Sequence, residues 1–150
     1  MKLEPLMTLH VVSTPVEIGP GPQGIRTFFA IAGGTFHGAR LRGRVLPHGG
    51  DWLLVDSEGV GRLDVRLTLE TDDGAHIYMQ YSGIAVINDT AATAMAQGGA
   101  TAYGEMYFMT QPRFETGDAR YGWLNRLVAV GEGRLVPSAA EYQVFELVHW

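Results

Sequence analysis

Hydrophobic and polar positions alternate along this chain in short runs separated by glycine and proline. The clearest run is Leu63 to Glu70. Leu63, Val65, Leu67 and Leu69 fall on one face and Asp64, Arg66, Thr68 and Glu70 on the other, the period of a half-buried strand. Asp72-Asp73-Gly74 follows as a hairpin signal. Ala75 to Gly83 then returns with Ala75, Ile77, Met79 and Tyr81 opposite His76, Tyr78, Gln80 and Ser82, so the two segments are predicted to pair.

Further strands are predicted over Leu3 to Val12, broken by Ser13-Thr14-Pro15, and over Arg26 to Ala32, ending at Gly33-Gly34. Thr35 to Leu46 reads as a bent or bulged strand in which Gly38 and Gly43 permit curvature. Asp51 to Val55, Ala102 to Thr110, Trp123 to Val130 and Tyr142 to His149 complete the set. Residues 19–24, 111–121 and 132–140 read as links. Asp89 to Gln97, capped by Asp89 or Thr90 and ended by Gly98-Gly99, predicts one short helix at most, a small lid or plug.

About eight to ten short strands with almost no helix predict an all-β fold. A sandwich and a barrel both accommodate them. The polar faces favour an antiparallel closed or nearly closed β-barrel, whose inward row can hold polar and aromatic groups around a ligand. No repeat or linker divides the chain, so residues 1–150 are expected to form one domain. Either row of residues 63–70 fits the interior, the apolar one as core or the polar one as lining.

Composition narrows the function classes. The chain has no cysteine, which removes disulfides, thiol nucleophiles and thiolate metal sites. A cytoplasmic home is expected. A net charge of -5 with scattered arginines offers no basic stripe for phosphates, and no apolar run reaches the roughly 18 residues of a membrane span. Met1-Lys2-Leu3-Glu4-Pro5 leads into no signal-peptide core, so mature sequence is expected. The expected partner is a small molecule, with neither nucleic acid nor membrane. The five histidines stand apart, and no dinucleotide fingerprint or Gly-x-Ser-x-Gly elbow occurs, so neither metal nor cofactor is expected.

Candidate chemistry gathers first on the polar row. Arg66 is suited to clamp a carboxylate, or to pair with Asp51 or Asp64 and hold strands together. Tyr78 on the neighbouring strand would donate a proton or hold an oxyanion beside it. His76 on the same row suits acid–base work or a structural bond. Asp51-Trp52 after a Gly-Gly turn offers a general base at a pocket rim, or a turn-capping Asp beside a core Trp. Residues 113–125, with Arg113, Phe114, Trp123 and Asn125, form a loop that covers a barrel mouth, or a salt-bridged surface loop with Phe114 and Trp123 as plugs. Tyr103, Glu105 and Tyr107 alternate, adding a carboxylate and phenols to one face.

Gly33-Gly34-Thr35-Phe36, Arg40-Leu41-Arg42-Gly43, Gly49-Gly50-Asp51-Trp52, Leu63-Asp64-Val65-Arg66, residues 71–78, Pro112-Arg113-Phe114-Glu115-Thr116 and Trp123-Leu124-Asn125-Arg126 occur in that order. Over residues 5–148 this set resembles the family of domain of unknown function 3237, also called UPF0311. The resemblance implies a calycin-like (lipocalin-like) barrel with paired subunits, a homo-oligomer (dimer). It also implies cofactor-free decarboxylation of lignin-derived aromatic acids.

The expectation is therefore a cofactor-independent lyase (decarboxylase) or isomerase acting on a small aromatic or hydrophobic carboxylic acid. Arg66, Tyr78, Asp51 and Glu105 are its candidate catalytic residues. Trp52, His76, Tyr107, Arg113, Trp123 and Asn125 are the candidate substrate contacts. The alternatives are a non-catalytic small-molecule binding barrel and a structural oligomer whose barrel is filled by Trp52, Phe114 and Trp123.

Overall fold

A computed structural model describes residues 1–150. Nine strands form one antiparallel sheet: β1 (Lys2–Gly21), β2 (Gly24–His37), β3 (Arg42–Val45), β4 (Gly50–Val55), β5 (Val60–Thr71), β6 (His76–Val86), β7 (Phe108–Glu115), β8 (Ala129–Val136) and β9 (Ala139–Val148). β1 pairs with β9 along its first half and with β2 along most of its length, which closes the sheet into a barrel. β3 and β4 both lie between β2 and β5, one at each end, so the ring has 8 places. The expected barrel is present. No helix is long and apolar enough to cross a membrane.

Several boundaries differ from the sequence reading, and proline explains two of them. β1 runs on through Pro15 and Pro20 to Gly21, because β9 leaves its side after Val12 and no partner there asks for a proline N–H. Likewise Phe108–Glu115 is a strand that contains Pro112. β8 pairs with β7 only at Met109 and Thr110, so beyond them Pro112 has β6 alone as neighbour. Residues 102–107, expected as strand, are mostly turn. Trp123 to Arg126 belong to a 3-10 helix, Ala119–Arg126, rather than a strand. The expected helix α1 (Asp89–Gln97) is present, but Asn88 caps it, its Oδ1 accepting from the Ala91 N–H at 2.9 Å.

The apolar row of β5 faces inward. Leu63, Val65, Leu67 and Leu69 are buried, as are Ile77, Met79 and Tyr81 opposite them on β6, while Asp64, Arg66, His76 and Tyr78 lie outside. In β2 the inward parity switches from Ile31 to Phe36. The register against β1 slips at Val12/Ser13, where Ala32 is the unpaired extra residue. One half of the barrel is packed solid by Leu9, Phe36, Leu69, Ile77, Met79, Leu124 and Val144. Each side chain so buried contributes roughly 1.5–3 kcal/mol.

Candidate functional site

The other half of the barrel is hollow. A chamber of about 750 Å³ is lined by 28 residues, 20 of them hydrophobic, within the range of small-molecule sites. The division falls at Tyr81 and Tyr142. These side chains come from opposite walls and meet edge to face with ring centroids 5.2 Å apart, and Phe108 packs against Tyr142 at 5.4 Å. Beyond this floor small residues stand at several inward positions, Ala85 on β6, Ala140 on β9 and Ser13 on β1, and they leave room between larger ones such as Phe29 and Leu63.

Glycine makes the floor possible on one wall. A β-carbon built on Gly133 of β8 would stand 2.7 Å from Phe108 Cδ1, so only glycine lets that ring lie flat against the strand and reach Tyr142.

Asp51 on β4 and the exposed Glu17 on β1 are the charged residues of the wall. Asp51 lies in the same inward row as Tyr81, two strands away across Val65, and shares the chamber with Tyr142. The pairing of β4 with β5 is interrupted between Asp51–Val65 and Leu54–Arg62, and in that gap Asp51 Oδ1 accepts the Asp64 N–H at 3.1 Å. No cation pairs with it. Burial pushes the Asp51 carboxyl up to about 6, the Asp64 hydrogen bond opposing and the Asp64 charge adding. Burial also raises the Tyr81 and Tyr142 phenols, and the charge of Asp51 raises both further, so both stay protonated as hydrogen-bond donors.

A lid covers the mouth. Ala92, Ala94, Met95 and Ala96 of α1 line the chamber with Gly98 and Gly99. Gly98 ends the helix in the left-handed conformation at φ 63°. The segment is sewn down on both sides: the Ile87 N–H donates to the Gly59 carbonyl at 2.8 Å, and the Thr101 N–H to the Leu135 carbonyl at 2.9 Å. The expectation of a small lid holds.

Of the residues singled out in the sequence, Asp51 alone lines the chamber. Arg66 is exposed on the outer face, because the apolar row of its strand fills the core. Tyr78 is on the same outer face, its hydroxyl 3.5 Å from Gln80 Oε1, and Arg113 donates to that oxygen at 2.8 Å. His76 is paired outside with Glu70 at 2.8 Å. Trp52 stacks outside on Phe28, ring centroids 4.8 Å apart. Glu105 and Tyr107 are exposed in the segment following the lid, where the Glu105 carbonyl accepts from Asn88 Nδ2. Trp123 packs against the core at the filled end beneath the Arg40 guanidinium, 4.1 Å from its ring centre. Asn125 closes its own loop with two hydrogen bonds to the Thr116 backbone, both 2.8 Å. The arginine clamp and the outer phenol are thus corrected, since neither faces the interior, whereas the aromatic loop takes its other reading, with Phe114 buried in the filled end and Trp123 packed against it. Tyr81 and Tyr142 were missed, although Tyr81 sits visibly at the end of the apolar row of β6. No three His, Asp or Glu side chains converge in a metal-binding arrangement.

Fold and chamber together define a closed antiparallel barrel with a lidded interior cavity. The chain belongs to the family described as protein of unknown function (DUF3237), matched over residues 1–147. A UPF0311 protein of Rhodopseudomonas palustris is 34% identical over 120 residues, 80% of this chain and 76% of that one. A β-barrel-like protein of Acinetobacter baumannii, 38% identical, superposes with a TM-score of 0.83 over 98% of this chain and 96% of its own. A structure described as an enzyme from Penicillium herquei shares the fold at 20% identity, with a TM-score of 0.72 over 98% of this chain and 94% of its own.

Proposed function

We propose that this protein is a proton-transfer enzyme, a lyase or isomerase, acting without a cofactor on a small aromatic or hydrophobic molecule in the chamber. The observation that carries the reading is Asp51: a carboxyl held near neutrality, without a cation, on the wall of an apolar chamber that it shares with two protonated phenols. A general base works best when its pKa lies near the working pH. Asp51 takes a proton from an acidic C–H or O–H of the substrate, and the electron pair left behind moves onto a conjugated oxygen. A hydroxyl of Tyr81 or Tyr142 donates a hydrogen bond to that oxygen. The protonated Asp51 then returns its proton elsewhere on the skeleton, which isomerises it, or to a departing group, which completes a lyase step.

The carboxy-lyase form of this reading has less support, since no Arg, Lys or His is among the lining residues to seat a carboxylate. That an enzyme shares the fold is consistent with catalysis.

The test is solvent exchange. Phenolic and enolisable aromatic ketones are incubated with the protein in D2O and deuterium uptake is followed by mass spectrometry. Exchange that falls at least about a hundredfold in Asp51→Asn supports the reading, given the usual size of general-base effects. Ligands that raise the melting temperature without any exchange would replace it with a carrier.

A further inference from the structure

We infer that the chamber selects an uncharged ligand and turns anions away, with Glu17 at its mouth as the residue that enforces the choice. The inference rests on the chamber being the working site but not on turnover. Glu17 and Asp51 are the charged residues of the lining, and both are acidic. Rows of inward residues lead from the mouth to the floor: Glu17 is in register with Thr27, and one row deeper Pro15 is in register with Phe29, and Phe29 with Asp51. A ligand therefore passes one carboxylate before it meets the other.

Some carboxylates of the protein are matched by a cation and others, Asp72 and Glu115 among them, are not. On the outer surface Asp56 is matched with Arg62, Glu70 with Arg44 and His76, Asp118 with Arg120, Glu141 with Arg134 and Glu146 with Arg40. Glu17 and Asp51 have no such partner in the structure. Two unneutralised carboxylates repel an incoming anion: Glu17 stands exposed at the rim, where the anion meets it first, and Asp51 is largely buried, where the lower dielectric strengthens its effect. The net charge of -5 has the same sign.

A cation satisfies the charge but not the chemistry. Ammonium entering the apolar passage must shed its water. The predominantly hydrophobic lining also gives an ammonium group few acceptors for its three N–H bonds. An uncharged aromatic carrying a hydroxyl or carbonyl meets both demands: its rings lie against the apolar walls and its oxygen reaches Asp51 and the tyrosines.

Three probes with one scaffold, 2-naphthol, 2-naphthoic acid and 2-naphthylmethylamine, separate the cases by calorimetric titration of the full chain at pH 8. Naphthol is expected to bind best and naphthoate at least about tenfold more weakly, the scale of a like-charge penalty at a partly buried site. Glu17→Lys is expected to recover most of the naphthoate affinity while leaving naphthol within about twofold, and Glu17→Gln part of it. Tightest binding of naphthoate or of the amine by the unaltered chain would overturn the inference. So would a Glu17→Lys variant that leaves naphthoate binding as weak as before, or failure of all three probes to bind. Selectivity without any deuterium exchange would leave the inference standing and remove only the catalytic reading.

Discussion

Asp51 links stability to pH in a direction opposite to five ion-paired carboxylates of this protein. In the folded chain it keeps its proton up to about pH 6, whereas its ordinary value is 3.8. Between those values the folded state binds more protons than the unfolded one, so the stability tied to Asp51 is greatest below about pH 4 and is lost as pH rises through 6. The loss is roughly 2 kcal/mol once partial exposure is allowed for. Asp56, Glu70, Asp73, Asp118 and Glu141 are all held below their ordinary range, so their contribution is lost instead as pH falls through their lowered values. Asp51→Asn keeps an oxygen for the Asp64 N–H and removes the charge. It is expected to melt several degrees higher than the unaltered chain at pH 8 and no higher at pH 4, measured by calorimetry. A side chain that weakens the fold at working pH is what a proton-transfer role asks of the site. Gly133→Ala carries the same argument to the floor. The new methyl drives the Phe108 ring off the strand, and a cost of about 1–3 kcal/mol with weakened naphthol binding is expected in melting and titration experiments.

Among the elements, the lid is held by few atoms. Within α1 only Ala91 and Ala94 are buried, and Asn88 both caps the helix and ties it to the Glu105 carbonyl. Asn88→Ala removes both bonds, at a cost of about 1 kcal/mol confined to the lid. Hydrogen exchange over residues 89–99 is expected to quicken severalfold while exchange in β5 and β6 stays unchanged. The element scale also shows what was legible in the chain. The β5–β6 hairpin could be read from its alternation and its Asp-Gly turn, and the helix from its alanines and glycine stop. Pro15 and Pro112 were misread as breaks because a proline's effect depends on whether a neighbouring strand needs its N–H, which is a property of topology rather than of local sequence.

At the scale of the whole molecule, the question the sequence left open was which row of each strand faces inward. Polar groups on Arg66 and Tyr78 suggested a polar interior, yet burial of Leu63, Val65, Leu67 and Leu69 decides the orientation and sends the polar row to solvent. Arg66→Ala is accordingly expected to change stability by less than about 0.5 kcal/mol and to leave deuterium exchange intact. A large loss in either assay would mean that the outer face takes part. The chamber announced itself instead through small residues and a tyrosine at the ends of apolar rows, a signal with meaning only once the strands are assembled into a ring. That assembly places tightly interlocked side chains on one side of Tyr81 and Tyr142 and empty volume on the other. Substitutions at lining positions outside the packed cluster, such as Ser13, Thr27 and Ala139, therefore disturb little of what keeps the chain folded. Lineages descended from one ancestor can exchange lining residues and acquire new ligands while inheriting the same architecture.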